Sequence, residues 1–273
     1  MKQDLKSLTG LGYRAPFQSE LIDGHPEIGW LEIITENYLW NTGARIQVLE
    51  KLRSNYQMAF HGVSLSLASP EEHDLKYLQD LKLFCDRFQP VRVSDHLCWS
   101  AMTDHHWHDL LPFPYTEENL QRIVKKVHLW QDILQRPLVV ENLSTYIATH
   151  TSEMSEYTFL NELCNRTGCQ VLLDLNNMVV NARNFKIDPL KELSHMNLAH
   201  VAQIHLAGFT EGKHFAIDTH NKEPVSETWD LLKHVHQKRA DIPFMLEWDS
   251  QFTEITKIWE IMLHARSIYQ GHL

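Results

Sequence analysis

The sequence predicts an α/β fold of the TIM type, a closed (β/α)₈ barrel, from three observations. Eight short β-rich segments occur, and most are nearly continuous in apolar residues, as parallel strands buried on both faces should be. Amphipathic segments separate them, and this alternation indicates βαβ units. The 273 residues suit one barrel, which needs about 250. The eight segments are residues 11–14, 30–37, 57–64, 90–98, 137–143, 169–177, 201–208 and 242–249.

The helices between the strands are predicted from the spacing of their apolar residues. In the segment 227–239, for example, Trp229, Leu232 and Val235 fall on one helical face. Eight strand–helix repeats favour a closed barrel over an open, doubly wound sheet. No Pro/Gly/Ser-rich linker marks a boundary, so we expect residues 1–273 to form a single domain. The other amphipathic segments are residues 45–55, 74–88, 117–134 and 153–165.

Composition argues against several classes of protein. The net charge is −10 and the longest basic runs are only Lys125-Lys126 and Lys238-Arg239, so we expect no nucleic-acid partner. No run of roughly 18 apolar residues exists, so we expect no membrane span. The first ten residues contain no apolar segment typical of a signal peptide, which predicts a cytoplasmic location. Dinucleotide and P-loop glycine motifs are absent.

Four cysteines occur, and their spacing matches neither a zinc motif nor a disulfide framework. We expect Cys85, Cys98, Cys164 and Cys169 to be reduced thiols. Cys98 lies two residues after His96, close to the candidate site described next. We interpret it as a packing residue, with a functional role as the alternative.

The ends of the predicted strands carry the residues that suggest chemistry. In a TIM barrel the catalytic groups come from the carboxyl ends of the strands. Seven of the eight segments change there from apolar residues to His, Asp, Glu or Asn. Any one of them could be ordinary rim or a satisfied core residue, but several carboxylates at one mouth would repel one another unless cations were bound. These ends are Thr35-Glu36-Asn37, His61-Gly62, Ser94-Asp95-His96, Glu141-Asn142, Asp174-Leu175-Asn176-Asn177, His205 and Glu247-Trp248-Asp249.

Two further stretches contain metal-ligand residue types. Asp218-Thr219-His220 follows the seventh strand and could reach the same mouth. Asp104-His105-His106-Trp107-His108 resembles a metal-binding tract, but we expect a solvated loop that borders the substrate. Mixed imidazole and carboxylate ligands suit Fe, Mn or Zn. The ligands are too many for one ion, so two or three metals are expected.

The motifs together resemble those of the multinuclear non-heme iron-dependent oxidative enzymes. That family, long catalogued as a domain of unknown function, includes the oxidase of methanobactin biosynthesis. The matching motifs run in family order from Gly10 to Asp249, nearly the whole chain. They are Gly10-Leu11-Gly12-Tyr13-Arg14, Glu36-Asn37-Tyr38, His61-Gly62-Val63-Ser64-Leu65, Ser94-Asp95-His96-Leu97, Leu111-Pro112-Phe113-Pro114-Tyr115-Thr116, Glu141-Asn142-Leu143, Asp174-Leu175-Asn176-Asn177, Gln203-Ile204-His205-Leu206-Ala207-Gly208, Asp218-Thr219-His220 and Leu246-Glu247-Trp248-Asp249.

The resemblance implies a barrel that holds two or three iron ions in mixed Fe(II)/Fe(III) states, with Zn or Mn as alternatives in the isolated protein. It implies Glu141 as a bridging carboxylate, and Glu141, Asp95 and Asp218 as catalytic residues. It also implies O₂-dependent modification of a Cys-containing, ribosomally made precursor peptide that a small delivery protein presents. The implied metal ligands are His61, Asp95, His96, Glu141, Asp174, Asn177, His205, Asp218, His220 and Glu247.

Other functions remain open from the residues alone. A metal-dependent TIM-barrel hydrolase or endonuclease would use a similar ligand set, although the acidic net charge counts against a DNA substrate. A metal-dependent sugar isomerase also gathers carboxylates and histidines. A metal-binding module without turnover is the weakest alternative, because a structural site is closed and needs fewer ligands.

Overall fold

Eight parallel strands close into one barrel, which confirms the predicted fold. The structure is a computed structural model that describes residues 4–102 and 105–271. Each strand pairs with the next in chain order, and the eighth pairs with the first. The strands are β1 (Thr9–Gly12), β2 (Trp30–Ile34), β3 (Gln57–Gly62), β4 (Arg92–His96), β5 (Val139–Glu141), β6 (Gln170–Asp174), β7 (Val201–Leu206) and β8 (Phe244–Leu246).

A helix with the same number follows each strand. The predicted segments 45–55, 74–88, 117–134, 153–165 and 227–239 all form helices, with ends shifted by three residues or fewer. Within the described ranges, no helix has both the length and the hydropathy that crossing a membrane requires. The helices that follow the strands are α1 (Gln18–Leu21), α2 (Ala44–Asn55), α3 (Leu75–Phe88), α4 (Glu117–Leu134), α5 (Glu156–Thr167), α6 (Leu175–Phe185), α7 (Ser226–Lys238) and α8 (Ile255–Tyr269); two short helices, Leu5–Leu8 and Pro189–Ser194, lie before β1 and after α6.

The sixth strand ends earlier than predicted. We predicted a strand over residues 169–177, but β6 ends at Asp174 and α6 begins at Leu175. The Asp174 carboxylate caps this helix, because its Oδ1 accepts a hydrogen bond from the backbone N–H of Asn177 at 2.7 Å. Asn176 and Asn177 therefore lie on the first helical turn, directly above a strand end.

Two short antiparallel hairpins follow β4 and β7. The first pairs Trp99–Met102 with His105–Leu111, and the second pairs Thr210–Glu211 with Ala216–Ile217. The expectation of a loop over Asp104–His108 is therefore wrong from His105 onward, because these residues form a strand, while a position beside the substrate stays a prediction. Asp104 lies outside the described residues.

The barrel interior changes from apolar to polar along its axis. Near the amino ends of the strands, Trp30, Ala59 and Met245 form a small cluster separate from the main core. Gly10 makes room for it, since a Cβ there would lie 2.3 Å from the Trp30 ring. Residues of a strand alternate between its two faces, so Glu32 shares the face of Trp30, one layer nearer the carboxyl end. The fold thus directs polar side chains into the upper barrel.

All four cysteines are buried and free. Cys98 is fully inaccessible, and its neighbour in the core, Leu97, is fully inaccessible too. Cys164 and Cys169 lie at the end of α5 and just before β6, with their sulfurs 3.7 Å apart. The packing interpretation of Cys98 agrees with this burial.

Candidate metal centre

The strand ends bring seven of the ten implied ligands into three overlapping groups. Within each group, potential ligand atoms lie within 4.8 Å of one another. The groups draw on β3, β4, β5, β6, β7 and β8 and on the loop after β7. Their members are His61, His96 and Glu141; Glu141, Asp174 and His205; and Asp174, His220 and Glu247.

The first group places two imidazoles on one carboxylate oxygen. The Nε2 atoms of His61 and His96 lie 3.1 and 3.2 Å from Glu141 Oε2. The other ring nitrogens are already engaged: His61 Nδ1 lies 2.8 Å from Ser94 Oγ, and His96 Nδ1 lies 3.2 Å from the backbone oxygen of Gly62. Each ring is therefore oriented by its Nδ1, which leaves Nε2 for a metal.

The second group uses the other oxygen of Glu141. His205 Nδ1 lies 3.7 Å from Glu141 Oε1 and 3.9 Å from Asp174 Oδ2. These three side chains are almost completely inaccessible to solvent. Glu141 thus presents one oxygen to each of two groups.

The third group shares Asp174 with the second. His220 Nδ1 lies 3.2 Å from Glu247 Oε2, and its Nε2 lies 4.0 Å from Asp174 Oδ2. Arg14 Nη2 holds the other Glu247 oxygen at 3.0 Å. His220 has a left-handed backbone, with φ of 43°, a conformation that costs a non-glycine residue on the order of 1–3 kcal/mol. Its backbone oxygen accepts a 2.7 Å hydrogen bond from Asp249, which helps to hold it there.

Several buried polar atoms at these groups lack a well-formed hydrogen bond. Buried polar atoms are normally paired, so a cluster of unpaired ones needs an explanation. Ions would give them partners, and the nitrogen and oxygen donors suit Fe, Mn or Zn. The residues present therefore fit the metals that the resemblance implies. The atoms without a hydrogen bond of good geometry are Glu141 Oε2, Asp174 Oδ2, Asn177 Oδ1, His205 Nδ1 and His220 Nε2; of these, Glu141 Oε2 and His220 Nε2 still have ionic neighbours, His61 at 3.1 Å and Asp218 at 2.7 Å.

Three implied ligands lie outside the groups. Asp95 accepts backbone hydrogen bonds from His96 at 2.7 Å and from Leu65 at 3.1 Å, so both its oxygens are engaged. Asp218 Oδ1 lies 2.7 Å from His220 Nε2. Asn177 donates its amide to the backbone oxygen of Asn142, and only its Oδ1 is free. The catalytic roles expected for Asp95, Asp218 and Glu141 stay predictions.

The pKa values of the buried groups are shifted in different directions. Burial alone would lower the pKa of His61, but the facing Glu141 carboxylate raises it to about 9. Burial lowers the pKa of His96 to about 4, despite the same carboxylate. Burial also raises the pKa of Asp174 to about 8, with His220 opposing and Glu141 assisting. In the absence of metal, protons therefore supply part of the positive charge that the carboxylates need.

Metal uptake should release protons. A histidine must be neutral to bind a metal, whereas the raised pKa means that His61 carries a proton at neutral pH. Lowering the pH from 8 to 6 strengthens this competition, so the affinity for Zn²⁺ should fall. Calorimetric titration with Zn²⁺ in two buffers of different ionisation enthalpy measures the protons released. The variant His61→Gln should release fewer, and pH-independent affinity without proton release would contradict the expectation.

Two residues that contact the groups were missed by sequence reasoning. Glu32 is buried inside the barrel, with Oε1 2.8 Å from His205 Nε2. The available signal was a carboxylate in the middle of the otherwise apolar run Trp30–Ile34. Arg14, which pairs with Glu247 and Asp249, lies just after β1 within a quoted motif but was given no role. The signal in the sequence was an arginine at the end of a predicted strand, in a barrel whose other strand ends carry acidic residues.

A barrel with convergent histidines and carboxylates at the carboxyl ends of its strands defines a TIM-barrel enzyme. The chain belongs to the family described as RiPP precursor modification enzyme MbnB/TglH/ChrH, whose model matches residues 8–270. RiPP denotes a ribosomally made and later modified peptide. This match confirms the resemblance found in the motifs and covers nearly the entire chain.

The chain also has relatives that it matches over most of their length. A protein of Acaryochloris marina, named only as a UPF0276 protein, is 38% identical over 257 residues, covering 94% of this chain and 92% of the relative. A UPF0276 protein of Caulobacter vibrioides is 40% identical over 241 residues, covering 88% and 86%.

The similar solved structures are distant in sequence. A D-psicose 3-epimerase crystallised with D-fructose aligns with a TM-score of 0.61 at 11% identity, over 97% of this chain and 99% of that one. Endonuclease IV from Thermus thermophilus aligns with a TM-score of 0.58 at 14% identity, over 95% and 98%. Identities this low show a shared fold and nothing about activity.

Proposed function

We propose that this protein is a multinuclear iron- and O₂-dependent oxidase that modifies cysteine residues of a ribosomally made peptide. The observation that carries the proposal is the row of three donor groups joined by Glu141 and Asp174. Shared carboxylates of this kind suit adjacent metals that act together. The family description supports a peptide precursor as the substrate.

The proposed ligands would form three metal sites. His61, His96 and Glu141 would hold one ion, Glu141, Asp174 and His205 a second, and Asp174, His220 and Glu247 a third. When bound, iron would supply open coordination positions for a thiolate and for O₂. The surrounding side chains keep this chemistry largely away from bulk water, because most of these ligands are buried.

The thiolate must come from outside the chain. Burial raises the pKa of Cys98 well above its ordinary value, so this thiol stays protonated. Its side chain is fully inaccessible, and the remaining cysteines are also buried. In this proposal a peptide cysteine would supply the sulfur instead, and a metal held by these residues would favour its thiolate form and keep it near the reacting O₂.

The second hairpin offers a surface for the peptide or for a delivery protein. It follows β7, whose end provides His205, and it leads into Asp218 and His220. Phe215 and Ile217 on this hairpin are 48% and 44% exposed, so two large apolar side chains are accessible there. A separate small protein that presents the precursor is part of the proposal on the family resemblance.

The proposed chemistry requires both O₂ and reduced iron. We expect protein loaded anaerobically with Fe(II) to modify a Cys-containing precursor only after O₂ is admitted, with the change followed by peptide mass. Fully oxidised protein should be inactive until it is partly reduced. A hydrolase uses its metal as a Lewis acid and needs no O₂. Anaerobic turnover of a phosphodiester or a sugar with Zn²⁺ or Mn²⁺ would overturn the proposal.

A further inference from the structure

A polar network lies inside the barrel, directly beneath the second donor group. Its central residue is Glu32, which is 2% exposed and belongs to the middle of β2. Its Oε1 lies 2.8 Å from Nε2 of His205, the ring nitrogen that faces away from Glu141 and Asp174. A buried carboxylate is costly unless it is paired and hydrogen-bonded, so these partners need to be accounted for.

The other oxygen of Glu32 is held from the opposite wall. Gln203 Nε2 donates to Glu32 Oε2 at 2.6 Å, while Gln203 Oε1 accepts from Arg92 Nε at 2.6 Å. The Arg92 guanidinium packs over the Trp30 ring at 4.3 Å from its centroid. Because Arg92 can only donate, it fixes which end of the Gln203 amide is oxygen.

This orientation determines the tautomer of His205. The Gln203 amide nitrogen also lies 2.9 Å from His205 Nε2 and has a second hydrogen to donate, but a lone pair on Nε2 would then face the Glu32 Oε1 lone pairs at 2.8 Å. Glu32 accepts, so the favourable arrangement puts the hydrogen on His205 Nε2 and directs it at Glu32 Oε1. The lone pair is then on Nδ1, which has no well-formed hydrogen bond and faces Glu141, Asp174 and Glu247.

We infer that Glu32 is a positioning residue that locks His205 in the tautomer whose Nδ1 binds a metal. The inference rests on the proposed metal centre. Metal-bound histidines commonly donate their second N–H to a carboxylate, and losing that partner typically lowers metal affinity by about 10–100-fold. Of the seven ligands in the donor groups, His205 is the one that the Glu32 carboxylate contacts at hydrogen-bond distance, so its loss should weaken one ion far more than the other two.

The variant Glu32→Gln removes the charge with little change in shape. If the oxygen of the new glutamine faces His205, its amide nitrogen faces the amide nitrogen of Gln203, and two donors oppose each other. If the side chain is turned the other way, its amide nitrogen faces the His205 N–H, and again two donors oppose each other. We expect Zn²⁺ titration of the metal-free variant to show one ion bound about 10–100-fold more weakly. Glu156→Gln is the matched control, because Glu156 accepts from the backbone of Leu143 and contacts none of the three donor groups.

The exchanged pair Glu32→Gln with Gln203→Glu provides a rescue. The carboxylate at position 203 would accept from Arg92 and from the new glutamine, whose oxygen could again accept from His205. We expect this double variant to regain most of the lost affinity. A purely structural role for the charge at position 32 predicts no such recovery, and its absence would count against the inference.

A direct measurement needs no variant. Nitrogen-15 NMR of histidine-labelled, Zn²⁺-loaded wild-type protein reports which His205 nitrogen is metal-bound and which carries hydrogen. We expect Nδ1 to bind metal and Nε2 to be protonated; the reverse overturns the inference even if Glu32→Gln does not fold. Equal affinity in Glu32→Gln and wild type overturns it as well. Metal binding with the expected tautomer but without peptide oxidation would refute only the proposed function.

Discussion

Glu141→Gln is expected to lose most of the protein's bound metal. Glu141 presents one oxygen to the histidines His61 and His96 and the other toward His205, so one substitution disturbs two donor groups. Metal affinity should fall by more than the roughly 10–100-fold that is typical when a residue that only supports a ligand is removed. Metal content after dialysis against excess metal, measured by elemental analysis, tests this.

Two further variants test whether the metal loss is specific to the donor groups. His195→Ala removes an exposed histidine at the carboxyl end of the short helix Pro189–Ser194, and it should keep full metal content. His205→Ala should lose one ion and retain part of the rest, since it belongs to a single group. Equal metal content in Glu141→Gln, His195→Ala and wild type would show that the strand-end cluster is not the metal centre.

A precursor in which serine replaces cysteine is expected to show no mass change with the reduced, iron-loaded protein and O₂. The sulfur is the proposed anchor: a thiolate binds iron well, and its coordination turns an encounter into an intramolecular step. A serine hydroxyl is far less acidic and makes a poor ligand. Peptide mass and the spectrum of the bound iron should both change with the cysteine form only.

The spectrum distinguishes two reasons for inactivity. If the serine peptide binds the protein without perturbing the iron, the peptide is docked and only the sulfur contact is missing. Competition against the cysteine peptide measures that docking. Modification of the serine peptide at the rate of the cysteine peptide would contradict thiolate ligation.

Much of the fold was predictable because parallel barrel strands are buried on both faces. Continuous apolar runs such as residues 138–140 and 171–173 stand out from the amphipathic helices between the strands. The end of β6 did not stand out. Leu175–Phe185 follows with no loop, so no turn residue marks the end of the strand, and the helix start is evident only from the Asp174 side chain that caps it.

The candidate site was predictable where ligand residue types coincide with strand ends. His61, Glu141, Asp174 and Glu247 were found in this way, and they do converge. Glu32 was missed because it lies within a strand and not at its end. The engagement of both Asp95 oxygens by backbone N–H groups was also out of reach, because it depends on the close approach of Asp95 to Gly62, where a Cβ would lie 2.4 Å from Oδ2.

The most direct test of the central claim is the number of iron ions bound per chain after anaerobic loading with Fe(II) and removal of loosely bound metal. Three donor groups that share Glu141 and Asp174 predict two or three ions per chain. A value of one or below in correctly folded protein would contradict a multinuclear centre.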